Sequence, residues 1–185
     1  MGQKGAETRD RLLDATQELM ETAGYLGAGL NQVVAVSGAP RGSLYFHFPG
    51  GKDELVGASI RRAGQAIGDS LGGLAESQPS ATEFVDGVLR FLGDRLEESG
   101  WRKGCPVATV ALETAATNDP LQQACSEVYT AWEAALRTQL ADRPNAEDLA
   151  VTILALVEGA LLLARAHRSR EPLTRIARQV GVLLS

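Results

Sequence analysis

The sequence predicts an all-α protein of about nine helices. Three observations carry this. The 185 residues are 44% hydrophobic and rich in Leu, Ala, Glu and Arg, good helix formers that lose little side-chain freedom in a helix. Long alternating Val/Ile/Thr runs, the mark of half-buried strands, are absent. Apolar residues recur instead at helical spacing, in segments separated by short Gly, Pro and Asn/Asp breaks.

The elements follow in order. Residues 7–23 read as an amphipathic helix, with Leu12, Thr16, Leu19 and Ala23 on one face and Leu13 and Met20 beside them. Gly24 is placed to cap it. Asn31 is expected to help cap a short second helix to Ser37, whose core contacts would be Val33, Val34 and Val36. Gly38-Ala39-Pro40 turns the chain into a third helix, residues 40–48, with Pro40 in its first turn. Pro49-Gly50-Gly51 stops it.

A long fourth helix covers residues 52–76, with Asp53 and Glu54 in its first turn, as the helix dipole favours. The break at Ser77–Ser80 holds Pro79. A fifth helix, residues 82–99, carries Phe84, Val85, Val88, Leu89, Leu92 and Leu96. Cys105-Pro106 opens a sixth helix to about residue 117, and Asn118-Asp119-Pro120 is a stop and restart. The seventh runs to about Leu140, the eighth covers residues 146–166, and Glu171-Pro172 begins the ninth. Short connections between long helices imply a packed bundle. Residues 1–51 form one expected domain and residues 52–185 a second.

Composition narrows the function. A net charge of −5 disfavours a protein that coats nucleic acid but leaves room for a local reading patch. Cys105 and Cys125 are too few for a disulfide framework and suit a reducing cytoplasm. The first residues lack the apolar core of a signal peptide. The most apolar run, residues 149–164, is short for a bilayer and contains Glu158, so a buried bundle helix is expected and no membrane role. No cofactor motif is present. His47 and His167 lie far from each other and from the cysteines, without metal-ligand spacing.

The most informative stretch is residues 38–55. Two short helices joined by a glycine turn, after a supporting helix, describe a helix-turn-helix reader whose second short helix enters the DNA major groove. Arg41 can donate two hydrogen bonds to a guanine edge or one to phosphate. Gly42 and Ser43 let the backbone come close. Tyr45 and His47 carry donors suited to phosphate oxygens. Lys52 adds charge at a fresh helix N-terminus. Leu44 and Phe48 are expected to face inward, and Phe46 is assignable to neither side. The bland alternative, that Tyr45 to Phe48 are all core, fails in part because four successive helical positions point in several directions.

On these residues the chain resembles the DNA-binding domain of TetR-family transcriptional regulators. The resemblance rests on the amphipathic first helix, Ala23-Gly24-Tyr25, Val33-Val34, Ser37-Gly38, and Gly42-Ser43-Leu44-Tyr45-Phe46-His47-Phe48 with Lys52 and Leu55. It implies that Arg41, Gly42, Ser43, Tyr45, Phe46, His47 and Lys52 lie at the DNA face; Asn31 is counted with them. Leu30 stands where the family usually has Thr or Ser, Pro40 where Ser is common, and the Pro49-Gly50-Gly51 connector is one residue longer than usual. That connector and Gly104-Cys105-Pro106-Val107-Ala108-Thr109 are similar to a subgroup typified by a lincomycin-resistance repressor.

The resemblance further implies a small-molecule site in the C-terminal bundle and a homodimer through the last two long helices. The residues agree with both. Leu149, Ile153, Leu156, Val157, Ala160, Leu161 and Ala164 give the eighth helix more apolar surface than one packing face needs. Candidate pocket residues are the aromatic and polar groups on apolar helices: Phe91, Trp101, Cys105, Thr109, Glu113, Tyr129, Trp132 and Glu158. Each has an alternative as core or as a solvated surface group. The expected whole is a cytoplasmic repressor, released from a palindromic operator by a small hydrophobic effector. The rival is a helical small-molecule-binding protein or enzyme without a DNA role, and no nucleophile–base pair at recognisable spacing supports it.

Overall fold

A computed structural model describes residues 3–77 and 80–185. The described residues form nine helices: α1 (Gln3–Gly27), α2 (Leu30–Ser37), α3 (Arg41–His47), α4 (Lys52–Ser77), α5 (Ala81–Glu98), α6 (Pro106–Thr114), α7 (Asp119–Gln139), α8 (Ala146–His167) and α9 (Glu171–Leu183). The expected break at Pro79 lies outside the described residues. The chain divides into two units, Met1–Gly64 with Pro106–Val128, and Gln65–Cys105 with Tyr129–Ser185. The first unit thus reaches past residue 51 and recruits α6 and the start of α7 from later in the chain.

In the first unit, α1 packs on α2, α3 and α6. Its core joins Leu12, Leu13 and Ala15 of α1 to Val33, Ala39, Leu44, Phe48 and Leu55. Leu44 and Phe48 are each 1% exposed, so the two inward residues of the third helix are its anchors. A helix of two turns is unstable alone; these two side chains fix it to α1. The neighbouring helices meet closely at Gly64, where an added Cβ would stand 2.5 Å from Val128 Cγ1.

Several local expectations need correction. Asn31 does not cap α2: the cap position is Gly29, no side chain caps the helix, and Leu30 is its first residue. Pro40 precedes α3 as its cap, with ψ of 137°, rather than sitting in the first turn. Val36 is 50% exposed although it lies one turn after the fully buried Val33, so only Val33 of the expected three is fully buried. α1 continues to Gly27 across a kink at Gly24, whose φ of 68° and ψ of −167° suit glycine. α6 ends at Thr114, three residues early, where Asn118 N–H already returns to the Thr114 carbonyl (2.9 Å).

In the second unit, α8 packs against α9 and α5, and α5 against α9. Ser80 begins α5 with a reciprocal cap: its hydroxyl accepts from Glu83 N–H (3.3 Å) and donates to the Glu83 carboxylate (2.6 Å). Leu149, Ile153, Val157, Ala160, Leu161 and Ala164 of α8 are buried. They are its packing face, not the expected surplus. The surplus lies elsewhere on the helix, at Val151, Leu162 and Leu163, each at least half exposed. α8 is also longer than the apolar run suggested. Its 22 residues include an 18-residue stretch of mean hydropathy 2.0, enough by length and composition alone to cross a bilayer.

Candidate nucleic-acid interface

The turn between α2 and α3 is built from backbone geometry. Gly38 closes α2 in the left-handed region (φ 61°, ψ 15°), and its N–H donates to the Val34 carbonyl (3.1 Å). The Ser37 hydroxyl accepts from Ala39 N–H at 3.2 Å. Pro40 then offers its carbonyl to Ser43 N–H (2.9 Å), which starts α3. At the far end Phe48 N–H returns to Leu44 and Gly51 N–H to Phe48. Gly51, at φ 76°, takes a conformation that a side chain would strain.

With Leu44 and Phe48 buried, α3 presents its other side to solvent. Arg41 and Gly42 are exposed, Tyr45 is 51% exposed and Phe46 is 74% exposed. Phe46, left open by residue type and placed outward by the resemblance, is exposed with the outer set. Ser43 and His47 are half-buried at the flanks. The His47 ring stands edge-on to Phe46, with centroids 5.0 Å apart, and an added Cβ at Gly5 of α1 would lie 3.9 Å from His47 Cε1. Asn31 is exposed on α2. The structure thus gathers Arg41, Gly42, Tyr45 and Phe46 on one outward surface, with Ser43 and His47 at its margin.

Lys52 is held differently. Its Nζ lies 3.8 Å from the centroid of the Tyr25 ring, a cation–π contact. Burial pulls the ammonium below its ordinary pKa, against the opposing pull of Asp53 and Glu113. Tyr25 Oη donates to Asp53 Oδ1 (2.7 Å), and Asn118 Nδ2 donates to Asp53 Oδ2 (2.8 Å). Burial, then the Asp53 hydrogen bond and charge, push the Tyr25 phenol up to about 12. The start of α4 is therefore tied to the end of α1 and the start of α7 through one carboxylate.

Two pocket candidates belong to this bracing. Thr109 Oγ1 donates to the Met20 carbonyl of α1 (2.9 Å). Glu113 Oε2 accepts from Leu26 N–H (2.9 Å), just past the Gly24 kink. A Cβ at Gly24 would stand 1.8 Å from Glu113 Oε1, so the kink and the carboxylate fit only together. Sequence reading missed these roles. Leu26 and Glu113 are 87 residues apart, and no local pattern signals such a pair.

The remaining candidates lie in the second unit. Tyr129 and Trp132 meet edge-to-face, with centroids 5.7 Å apart. The Cys105 thiol hydrogen-bonds Glu158, and burial raises the Glu158 carboxyl above its ordinary 4.5 despite that bond. Phe91 is half-buried beneath the Arg95 guanidinium, 5.8 Å from the ring centroid. Trp101 is half-buried in a left-handed turn with φ 64°. A surface groove of about 530 Å³ runs between α5 and α9, floored by Leu89, Leu173 and Ala177, and none of the eight candidates lines it.

Comparison with known proteins finds two family matches along the chain. Residues 12–58 match the family described as Bacterial regulatory proteins, tetR family. Residues 81–179 match the one described as Transcriptional regulator LmrA/YxaF-like, C-terminal domain. The chain is 32% identical over 182 residues to the HTH-type transcriptional regulator LmrA of Bacillus subtilis (strain 168), covering 96% of this chain and 97% of the relative. It is 31% identical to an uncharacterized HTH-type transcriptional regulator, YxaF, of the same organism, covering 96% and 95%. Among solved structures, a TetR transcriptional regulator from Legionella pneumophila superposes with a TM-score of 0.85 over 100% of this chain and 98% of that one; at 20% identity it shows the fold.

Proposed function

The chain belongs to the TetR family of bacterial DNA-binding transcriptional regulators, and from that premise we propose that it is a homodimeric repressor released from its operator by a small hydrophobic effector. The observation that carries the DNA part is the outward face of α3. Arg41, Gly42, Tyr45 and Phe46 point away from a core in which Leu44 and Phe48 are almost wholly buried. Such a short helix, anchored on two residues, holds its outer side chains in fixed register for a major groove. Arg41 supplies the base-edge or phosphate fork, Tyr45 and His47 phosphate donors, and Lys52 a charge pre-positioned over Tyr25.

The dimer reading rests on the uncovered side of α8 and α9. Val151, Leu162 and Leu163 are exposed on α8, and Val182 and Leu183 on α9. Ala155 and Gly159, also exposed, would let a symmetry-related helix approach closely. A two-fold interface uses one such self-complementary patch from each copy, and two heads then address the two halves of a palindromic operator.

The effector reading rests on the second unit, where the Tyr129–Trp132 pair and the Cys105–Glu158 pair set aromatic and polar groups among apolar helices. Release requires the effector to bind a state that fits the operator less well. Acting on the chromosome, such a regulator works in the cytoplasm, and the reading asks no catalysis of any residue.

A gel shift on the DNA upstream of the protein's own gene tests the core of this. The wild type should retard that fragment, and Arg41→Ala with Tyr45→Ala should not. Undiminished retardation by the double variant would reject the α3 assignment. Failure of apolar compounds to release the bound fragment, with heads and dimer intact, would reject the effector alone.

A further inference from the structure

Phe46 is 74% exposed, whereas the two phenylalanines Phe48 and Phe84 are 1% and 2% exposed. Its place in the helix explains the difference. At about 100° per residue, Phe46 stands about 180° from the bisector of Leu44 and Phe48. It is therefore the tip of the α3 reading face rather than a displaced core residue.

His47 covers one edge of the Phe46 ring. Side chains on a helix lean toward its N-terminus, over the turn before them. One turn earlier stands Gly42, which has no side chain, and a Cβ added there would meet nothing within 4 Å. Open space thus lies over the bare Gly42 backbone, one helical turn before Phe46, as an outward-facing notch. Major-groove base edges offer hydrogen-bond donors and acceptors, which a phenyl ring cannot satisfy, and one apolar group, the thymine C5-methyl.

We propose that Phe46 is a specificity-determining residue that reads thymine, by receiving its C5-methyl group in the notch between the Phe46 ring and Gly42. This rests on α3 being the major-groove element. Arg41 and Tyr45, on the same surface, then set register and read or clamp their own positions, while Phe46 supplies discrimination by apolar contact alone.

The test uses the full-length protein and a duplex enriched by the wild type from a random pool. The duplex is resynthesised with deoxyuridine for thymidine, which removes the methyl and leaves every hydrogen-bonding group in place. The enriched half-site should hold a constant thymine. Wild type should bind the thymine duplex on the order of fourfold tighter per methyl contacted. Phe46→Ala should bind both duplexes alike, and Phe46→Leu, still apolar but smaller, should keep a reduced preference. Titration at low salt keeps the weaker variants measurable, since phosphate attraction is strongest there.

Three results would overturn the proposal: an enriched site without constant thymine, a wild type indifferent to uracil, or an unchanged thymine preference in Phe46→Ala. Failure of the wild type to enrich any duplex would instead remove the α3 reading on which it rests.

Discussion

Tyr25 and Glu158 show at single residues how the surroundings set chemistry. Tyr25 titrates near 10 in an unfolded chain and at about 12 here, so between those values the folded protein holds the extra proton. Its contribution to stability is complete below pH 10 and is lost as pH rises toward 12. Thermal melts of wild type should fall over that window, and Tyr25→Phe, lacking the bond to Asp53, should melt lower at neutral pH yet change less above pH 10. For Glu158 the folded carboxyl titrates above 4.5 because it is buried. Stability from the neutral form is present below pH 4.5 and declines as pH rises through the raised value. Glu158→Gln should therefore melt above the wild type at pH 7, with the gap closing toward pH 4. An equal gap at both would show that Glu158 is not desolvated. The stretch Tyr45 to Phe48 was legible as the end of a short helix, and the inward pair Leu44 and Phe48 from its spacing. Residue type alone left Phe46 open, since a phenyl ring is as ready to be core as surface; burial of Leu44 and Phe48 opposite it leaves it exposed.

At the scale of elements, the informative joint is that between α1 and α6. Gly24 breaks the α1 geometry, and Glu113 receives the Leu26 N–H freed by the break. Gly24→Ala should cost about 2 kcal/mol in urea unfolding, from a backbone conformation that a side chain resists. Glu113→Ala should cost about 1 kcal/mol, the loss of one partly exposed charged hydrogen bond. Together the two should cost less than their sum, because removing the carboxylate makes room for the new methyl. Strict additivity would deny that they form one device. Gly64→Ala should cost about 2 kcal/mol by crowding Val128. Helix existence and order were readable from periodicity and breakers in all nine cases. Helix ends were read less well: Gly29 rather than Asn31 caps α2, and α6 stops early, because caps depend on backbone dihedrals that side-chain identity only biases.

For the whole molecule, charge and assembly make the testable statements. The chain carries −5 overall, and the α1–α3 region sets the four bases Lys4, Arg9, Arg11 and Arg41 against the five acids Glu7, Asp10, Asp14, Glu18 and Glu21. Operator affinity should thus fall gently with salt, with well under about ten counterions released per dimer; a steeper slope in a salt titration would contradict the few-contact picture. Leu162→Glu with Leu163→Glu should yield monomers in sedimentation and weaken operator binding on the order of a hundredfold, while the helical circular dichroism stays unchanged. A dimer that survives both charges would place the interface elsewhere.

The sequence by itself determined the helical class, the order of the elements, the helix-turn-helix unit and the family, because these follow from local propensity, periodicity and a contiguous motif. The tertiary structure alone decided which apolar face of α8 is core and which is free. It alone showed Phe46 exposed opposite the buried Leu44 and Phe48, and it alone tied Thr109 and Glu113 to α1. The physical reason is common to all three. Side-chain spacing fixes what shares a face, but burial and long-range hydrogen bonds depend on which face the rest of the chain comes to cover.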